Sequence, residues 1–176
     1  MATLGVSNVM TFKVLNEGIE RYVQALTKTN NDELKYEIES ITRFLDYDKS
    51  SNTALSREEA ISHINSYIKT HELSVDKEFK IWIFDTDGNV IYNPLDNGTN
   101  QQTSSIANDK EYLEKIKEVS QSEKGYLYAD FIYEMKENNA KYNTKAYFYY
   151  YKPYNWVISS SYDKNELDKN ITEYTN

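Results

Sequence analysis

Phe79-Lys80-Ile81-Trp82-Ile83-Phe84-Asp85-Thr86-Asp87-Gly88-Asn89-Val90-Ile91-Tyr92-Asn93-Pro94 is the stretch that decides the fold. Phe79, Ile81 and Ile83 alternate with Lys80, Trp82 and Phe84, the two-residue period of a strand. Asp85-Thr86-Asp87-Gly88 is a hairpin turn, with glycine where the backbone wants positive φ. Asn89 to Asn93 returns as a second strand, and Pro94 ends it.

Upstream the period is helical. Val9, Phe12, Leu15, Ile19, Tyr22, Val23 and Leu26 recur at helical spacing, and Leu34, Ile38, Ile41 and Leu45 continue the stripe. The polar run Thr29-Asn30-Asn31-Asp32 reads as a break between two helices. Ser56-Arg57-Glu58-Glu59 is a capping box, because each side chain can satisfy the other residue's amide. Ala60, Ile61, Ile64, Tyr67 and Ile68 give that second helix its apolar face, and it ends near His71.

Downstream, residues 95–108 are polar and turn-rich, and read as a loop crossing the sheet. Asp109 caps a short helix bearing Tyr112, Leu113, Ile116 and Val119. Gly125 opens a strand running to about Met135, Glu137-Asn138-Asn139 turns, and Lys141 to Lys152 is the next strand. Pro153-Tyr154-Asn155 turns again, Trp156 to Tyr162 is the last strand, and Asp163 caps a terminal helix. Strands in runs, with helices set apart from them, define an α+β protein. The expected architecture is a long N-terminal helix packed on a central antiparallel five-stranded sheet. The organisation is one domain over residues 1–176: a leading helical region 1–48, a helix 56–71, a sheet-forming core 78–162 and a terminal helix 163–176.

Composition narrows the function. The net charge is −8, with acidic and basic residues scattered, so the surface repels phosphate backbones and nucleic acid is excluded as a partner. No apolar run approaches the roughly 20 residues that span a bilayer, and no signal peptide is visible. There is no cysteine, which removes disulfides and thiol chemistry. The two His residues, His63 and His71, lie on one helix end without a cysteine partner, so no metal site is expected. Asp85 to Asn89 is not a calcium loop, because an EF-hand places Gly sixth and Glu twelfth. No nucleophile elbow, phosphate-binding glycine loop or zinc motif is present, so no catalytic residue and no cofactor are assigned.

The seventeen tyrosines concentrate the interest. On the strand after Gly125, Leu127, Ala129 and Phe131 point one way and Tyr126, Tyr128 and Asp130 the other. On the next strand Ala146, Phe148 and Tyr150 alternate with Lys145, Tyr147, Tyr149 and Tyr151. The apolar face should pack on the long helix. The other face gathers Tyr126, Tyr128, Asp130, Lys145, Tyr147 and Tyr149 into a candidate ligand site, with Trp82 and Tyr92 as further candidates. There Lys145 could neutralise a ligand carboxylate and Asp130 could hold an amine. The same residues also read as a solvent-facing sheet with a cross-strand Lys–Asp pair, or as a flat protein–protein interface rich in tyrosine.

These motifs, in this order, resemble the Cache domains, PAS-like sensors of bacterial transmembrane receptors. The Phe79–Pro94 hairpin is similar to the first Cache hairpin. Gly125-Tyr126-Leu127-Tyr128 resembles the strand after the small helix, and Lys145 falls where many members carry a lysine. Trp156-Val157-Ile158-Ser159-Ser160-Ser161-Tyr162 resembles the closing strand, with Ser where many members have Gly. Asn93 stands where many have His before the proline, a departure that bears on the ligand class. With one meander, the match is to a single Cache module over residues 9–172. The resemblance implies an extracytoplasmic small-molecule sensor of a chemoreceptor or histidine kinase. It implies a carboxylate or amino-acid ligand and a homodimer along the N-terminal helix. Contact with the membrane would come only through flanking segments outside this chain, which would then be a piece of a longer receptor.

Overall fold

The computed structural model describes residues 2–52, 54–71, 79–94, 109–135, 139–165 and 169. The element order is α1 (Ala2–Ser51), α2 (Arg57–Thr70), β1 (Phe79–Asp85), β2 (Val90–Tyr92), α3 (Lys110–Gln121), β3 (Tyr126–Met135), β4 (Ala140–Tyr151) and β5 (Trp156–Asp163). The five strands form one antiparallel sheet in the order β2-β1-β5-β4-β3. The loop expected over 95–108 and most of the expected terminal helix lie outside the described residues.

The helix α1 is continuous, so the expected break at Thr29-Asn30-Asn31-Asp32 does not occur. Nothing in that run stops a helix. It holds neither glycine nor proline, and the Thr29 hydroxyl donates back to the Ala25 carbonyl at 2.9 Å. The buried stripe runs on through Leu34, Ile38, Ile41 and Leu45. The helix α2 starts at the capping box read from sequence. The Glu59 amide donates to Ser56 Oγ at 3.2 Å, and the Ser56 amide to Glu59 Oε2 at 2.7 Å.

The β1–β2 turn follows the Asp-Gly reading. The Asp85 carboxylate accepts the amides of Asp87 and Asn89 and the Asn89 carboxamide, so it organises the hairpin, and Arg57 of α2 reaches its Oδ2 at 3.4 Å. Gly88 sits at φ +88, and a Cβ there would collide with the Leu113 side chain. Glycine therefore provides both the turn and the close approach of the hairpin to α3.

The sheet is buried on both faces. One face, with Ile81, Ile83, Tyr147, Tyr151, Trp156, Ile158 and Tyr162, packs against α1 and α2. The other, with Trp82, Phe84, Ala129, Phe131, Ala146, Phe148 and Val157, packs against Tyr112, Ile116 and Val119 of α3. This reverses one expectation. The long helix covers the tyrosine face, and the more apolar face belongs to α3. Tyrosine rings supply as much apolar area as any core residue, so a face of alternating Tyr is a packing surface once its hydroxyls are met. The Tyr151 hydroxyl donates to Asp46 Oδ1 of α1 at 2.7 Å. The two helices are joined by the Ser40–Tyr67 hydroxyl pair (2.8 Å) and by His63 Nδ1 on Asp48 (2.9 Å).

Candidate functional site

Six of the eight residues singled out from sequence come together. Tyr126 faces Tyr149 across the strands, Tyr128 faces Tyr147, and Asp130 faces Lys145. The Tyr128 and Tyr147 ring centroids are 4.8 Å apart. The Tyr147 ring is buried against the α1 core and Tyr149 partly so, whereas Tyr126 and Tyr128 stay exposed on the edge strand. Burial raises the Tyr128 and Tyr147 hydroxyls above the ordinary tyrosine value, and nearby carboxylates, Asp32 and Glu39 for Tyr128, push the same way.

The charges on this ledge are already engaged. Asp130 accepts Lys145 Nζ at 3.2 Å and Lys164 Nζ at 3.0 Å. Partial burial would raise its carboxyl, but the hydrogen bonds from Lys164 and Lys145 outweigh it and hold Asp130 below the usual carboxylate range. Lys145 and Asp130 thus serve each other, as in the cross-strand pair reading, and fasten the residues after β5 to β3. Trp82 is not part of this ledge, because it is buried on the α3 face. Tyr92 lies on the same side as the ledge but at the far edge of the sheet, in the core under α1 and α2.

The α3 face holds the arrangement that sequence reasoning missed. Register places Trp82, Ser159 and Phe148 in one row across β1, β5 and β4, and Lys80, Ser161 and Ala146 in the next. Ser159 is fully buried, and its hydroxyl has no hydrogen-bond partner among the described residues. Ser161 is hydrogen-bonded to the Tyr112 hydroxyl, whose burial raises it far above the ordinary value, with that bond offsetting only part. Tyr112 meets Phe131 (4.9 Å), Tyr133 (5.7 Å) and Phe148 (5.9 Å) edge-on, so the two serines share their face of the sheet with a cluster of packed aromatic rings. Lys80 stands half-buried at the end of this face with no ion-pair partner among the described residues. One signal was available in the sequence. Three serines in a row, between Trp156-Val157-Ile158 and Tyr162, put hydroxyls into the central strand of a sheet covered on both sides.

This set can bind and orient a small molecule. The two histidines stand elsewhere, His63 on α2 with its Nδ1 on Asp48 and His71 at the end of the same helix. Neutral donors, one ammonium and aromatic walls suit recognition of a small anionic molecule.

A long helix on one face of a PAS-like five-stranded sheet, with serine hydroxyls among packed aromatic rings on the other, is the architecture of a ligand-sensing domain. The chain belongs to the single Cache domain 2 family, whose model matches residues 26–176. The solved structures agree on the fold. One similar structure is a methyl-accepting chemotaxis protein from Vibrio parahaemolyticus RIMD 2210633, 17% identical, covering 85% of this chain and 99% of that one with a TM-score of 0.57. Another is a Cache chemosensory domain solved for the structural basis of its carboxylic acid recognition, 17% identical, covering 80% of this chain and 97% of that one with a TM-score of 0.59. A search of the curated proteins finds no match. Cache domains are extracytoplasmic sensors of membrane receptors. Among the described residues no helix is long and apolar enough to cross a membrane.

Proposed function

We propose that this domain senses a small organic carboxylate held between α3 and the sheet, and that it works as a homodimer outside the cytoplasm. The observation that carries the reading is the Ser159 hydroxyl, fully buried on the α3 face of the sheet with no hydrogen-bond partner among the described residues. Such a group costs about 1–3 kcal/mol, and a ligand oxygen would remove that cost. Lys80 supplies a positive charge on the same face, beside the Ser161 hydroxyl that is shared with Tyr112. The similar Cache domain that recognises carboxylic acids supports the ligand class.

The reporter is β5. Its Ser159 and Ser161 side faces the proposed ligand, while Trp156, Ile158 and Tyr162 on its other side pack on the α1–α2 core. A ligand that binds one packing of β5 better than another shifts α1 by that difference in affinity. The dimer rests on the N-terminal part of α1, where Val9, Phe12 and Leu15 are 69%, 68% and 57% exposed. Apolar side chains in that number exposed on one helix support a partner surface there.

The test is thermal denaturation against acetate, propionate, pyruvate, lactate and neutral amino acids. A ligand at 100 times its dissociation constant adds about 2.7 kcal/mol. That raises the melting temperature by about 5–10 °C in a domain of this size. The carboxylate shift should disappear in Lys80→Ala. A folded protein that no carboxylate stabilises, or a shift that Lys80→Ala leaves intact, would sink the proposal.

A further inference from the structure

On the opposite side of the sheet, α1 and the edge strand β3 enclose an open groove of about 470 Å³, lined by Val23, Lys28, Asn31, Asp32 and Tyr128 among others. The volume is within the range of small-molecule sites, roughly 300–1,000 Å³. Lys28 and Asp32 are one helical turn apart, yet they form no ion pair with each other, and neither has an ionic partner among the described residues. Their order disfavours pairing, because a helix stabilises the acid-first arrangement better than the base-first one. Asn31 lies between them with its carboxamide oxygen buried and without a hydrogen-bond partner. Tyr128 provides an aromatic wall, and its hydroxyl feels the Asp32 and Glu39 carboxylates.

We infer that this groove is a second small-molecule site, separate from the α3 face, which takes the zwitterionic head of an α-amino acid. Lys28 receives the carboxylate and Asp32 the ammonium. The Asn31 oxygen gains the donor it lacks once its side chain turns to the ligand. Val23 and the Tyr128 ring receive an apolar side chain. A simple anion meets Asp32 and Glu39, and a simple amine meets Lys28, so each half alone is opposed by one wall. Both charges must arrive on one molecule, at the spacing that an α-amino acid has.

The experiment titrates the isotope-labelled whole chain with L-leucine and follows backbone amides by NMR, to about 10 mM, well past a dissociation constant of about 1 mM. The controls are 4-methylpentanoate, which lacks the ammonium, and 3-methylbutylamine, which lacks the carboxylate. The expected result is saturable movement of the amides around Lys28–Asp32 and Tyr128 with leucine alone. Lys28→Gln and Asp32→Asn, both on exposed positions, should each weaken leucine about tenfold or more, the loss of one charged hydrogen-bonded contact. The inference falls if those amides do not saturate, or if either single-charge control binds within about threefold of leucine. It also falls if the groove amides move with protein concentration instead, which would make the groove a contact between copies. Movement of the Ser159 and Ser161 amides reports the α3 face, so the two sites succeed or fail separately.

Discussion

Replacing Ser159 with alanine should make the empty domain more stable and the sensor worse. Ser159 is completely buried, and its hydroxyl has no hydrogen-bond partner among the described residues. An unpaired buried hydroxyl costs about 1–3 kcal/mol. Ser159→Ala removes that cost and forfeits only the dispersion contacts of one oxygen, at about 0.1–0.2 kcal/mol per atom pair. A net gain of about 1 kcal/mol raises the melting temperature by about 2–4 °C at this chain length. With ligand the sign reverses. A hydrogen bond to a carboxylate is worth about 1.5–3 kcal/mol, so the variant should bind about 10- to 150-fold more weakly. Ser160→Ala is the internal control. Its hydroxyl is equally buried and unpartnered, but the strand turns it to the α1 side. It should give the same stabilisation and leave ligand binding unchanged. Calorimetric melts of the three proteins, with and without the best carboxylate, decide the matter. If Ser159→Ala melts lower than the parent, or loses no more affinity than Ser160→Ala, the assignment of Ser159 to the ligand is refuted.

Three further outcomes follow from the geometry. Ser56→Ala removes one half of the capping box and should cost about 1 kcal/mol, read as a melting temperature about 2–4 °C lower. Asp130→Asn should lower the melting temperature at neutral pH by a small amount, because the carboxylate is half-exposed and its two lysine pairs are screened, each worth about 1 kcal/mol or less. The Asp130 carboxyl is held below its ordinary 3.8, so its contribution is present above that value and is lost as the pH falls through the folded value; the gap between parent and variant should narrow as the pH is lowered below 3.8. Phe12→Asp places a charge on the exposed stripe of α1 and should shift sedimentation from dimer to monomer while the circular dichroism spectrum stays that of a folded domain.

Most of the fold was legible because its signals are local. The capping box at Ser56–Glu59, the Asp85–Gly88 turn, the Asp109 cap and the alternation along β3 and β4 each involve residues within a few positions of one another. What failed depended on distance. Thr29 to Asp32 looked like a break because four polar residues carry no record of the hydroxyl-to-carbonyl bond that keeps them helical. The tyrosine face looked open because alternation fixes which residues share a face, but not which helix covers it. The same gap explains the candidate site. Tyr126, Tyr128, Asp130, Lys145, Tyr147 and Tyr149 were correctly placed on one side, but Trp82 belongs to the other. Ser159 and Ser161 on β5 meet Tyr112 of α3 only through helix packing on the sheet, and beyond the run of three serines they carried no motif. Only burial makes a serine hydroxyl conspicuous, and burial is a property of the folded molecule.

The unbroken α1 also has a mechanical meaning. At 1.5 Å per residue, Val9 stands about 50 Å along the axis from Ile41, the middle of the segment clamped to the sheet. A rigid rod of that length is a lever with its fulcrum in the core. A tilt of about 3° at the clamp, within what a repacked β5 side chain can impose, carries the free end sideways by about 2.5 Å. A hinge at residues 29–32 would have absorbed that motion. With those polar residues kept helical, a sub-ångström event at the sheet would become a displacement comparable to the radius of an α-helix.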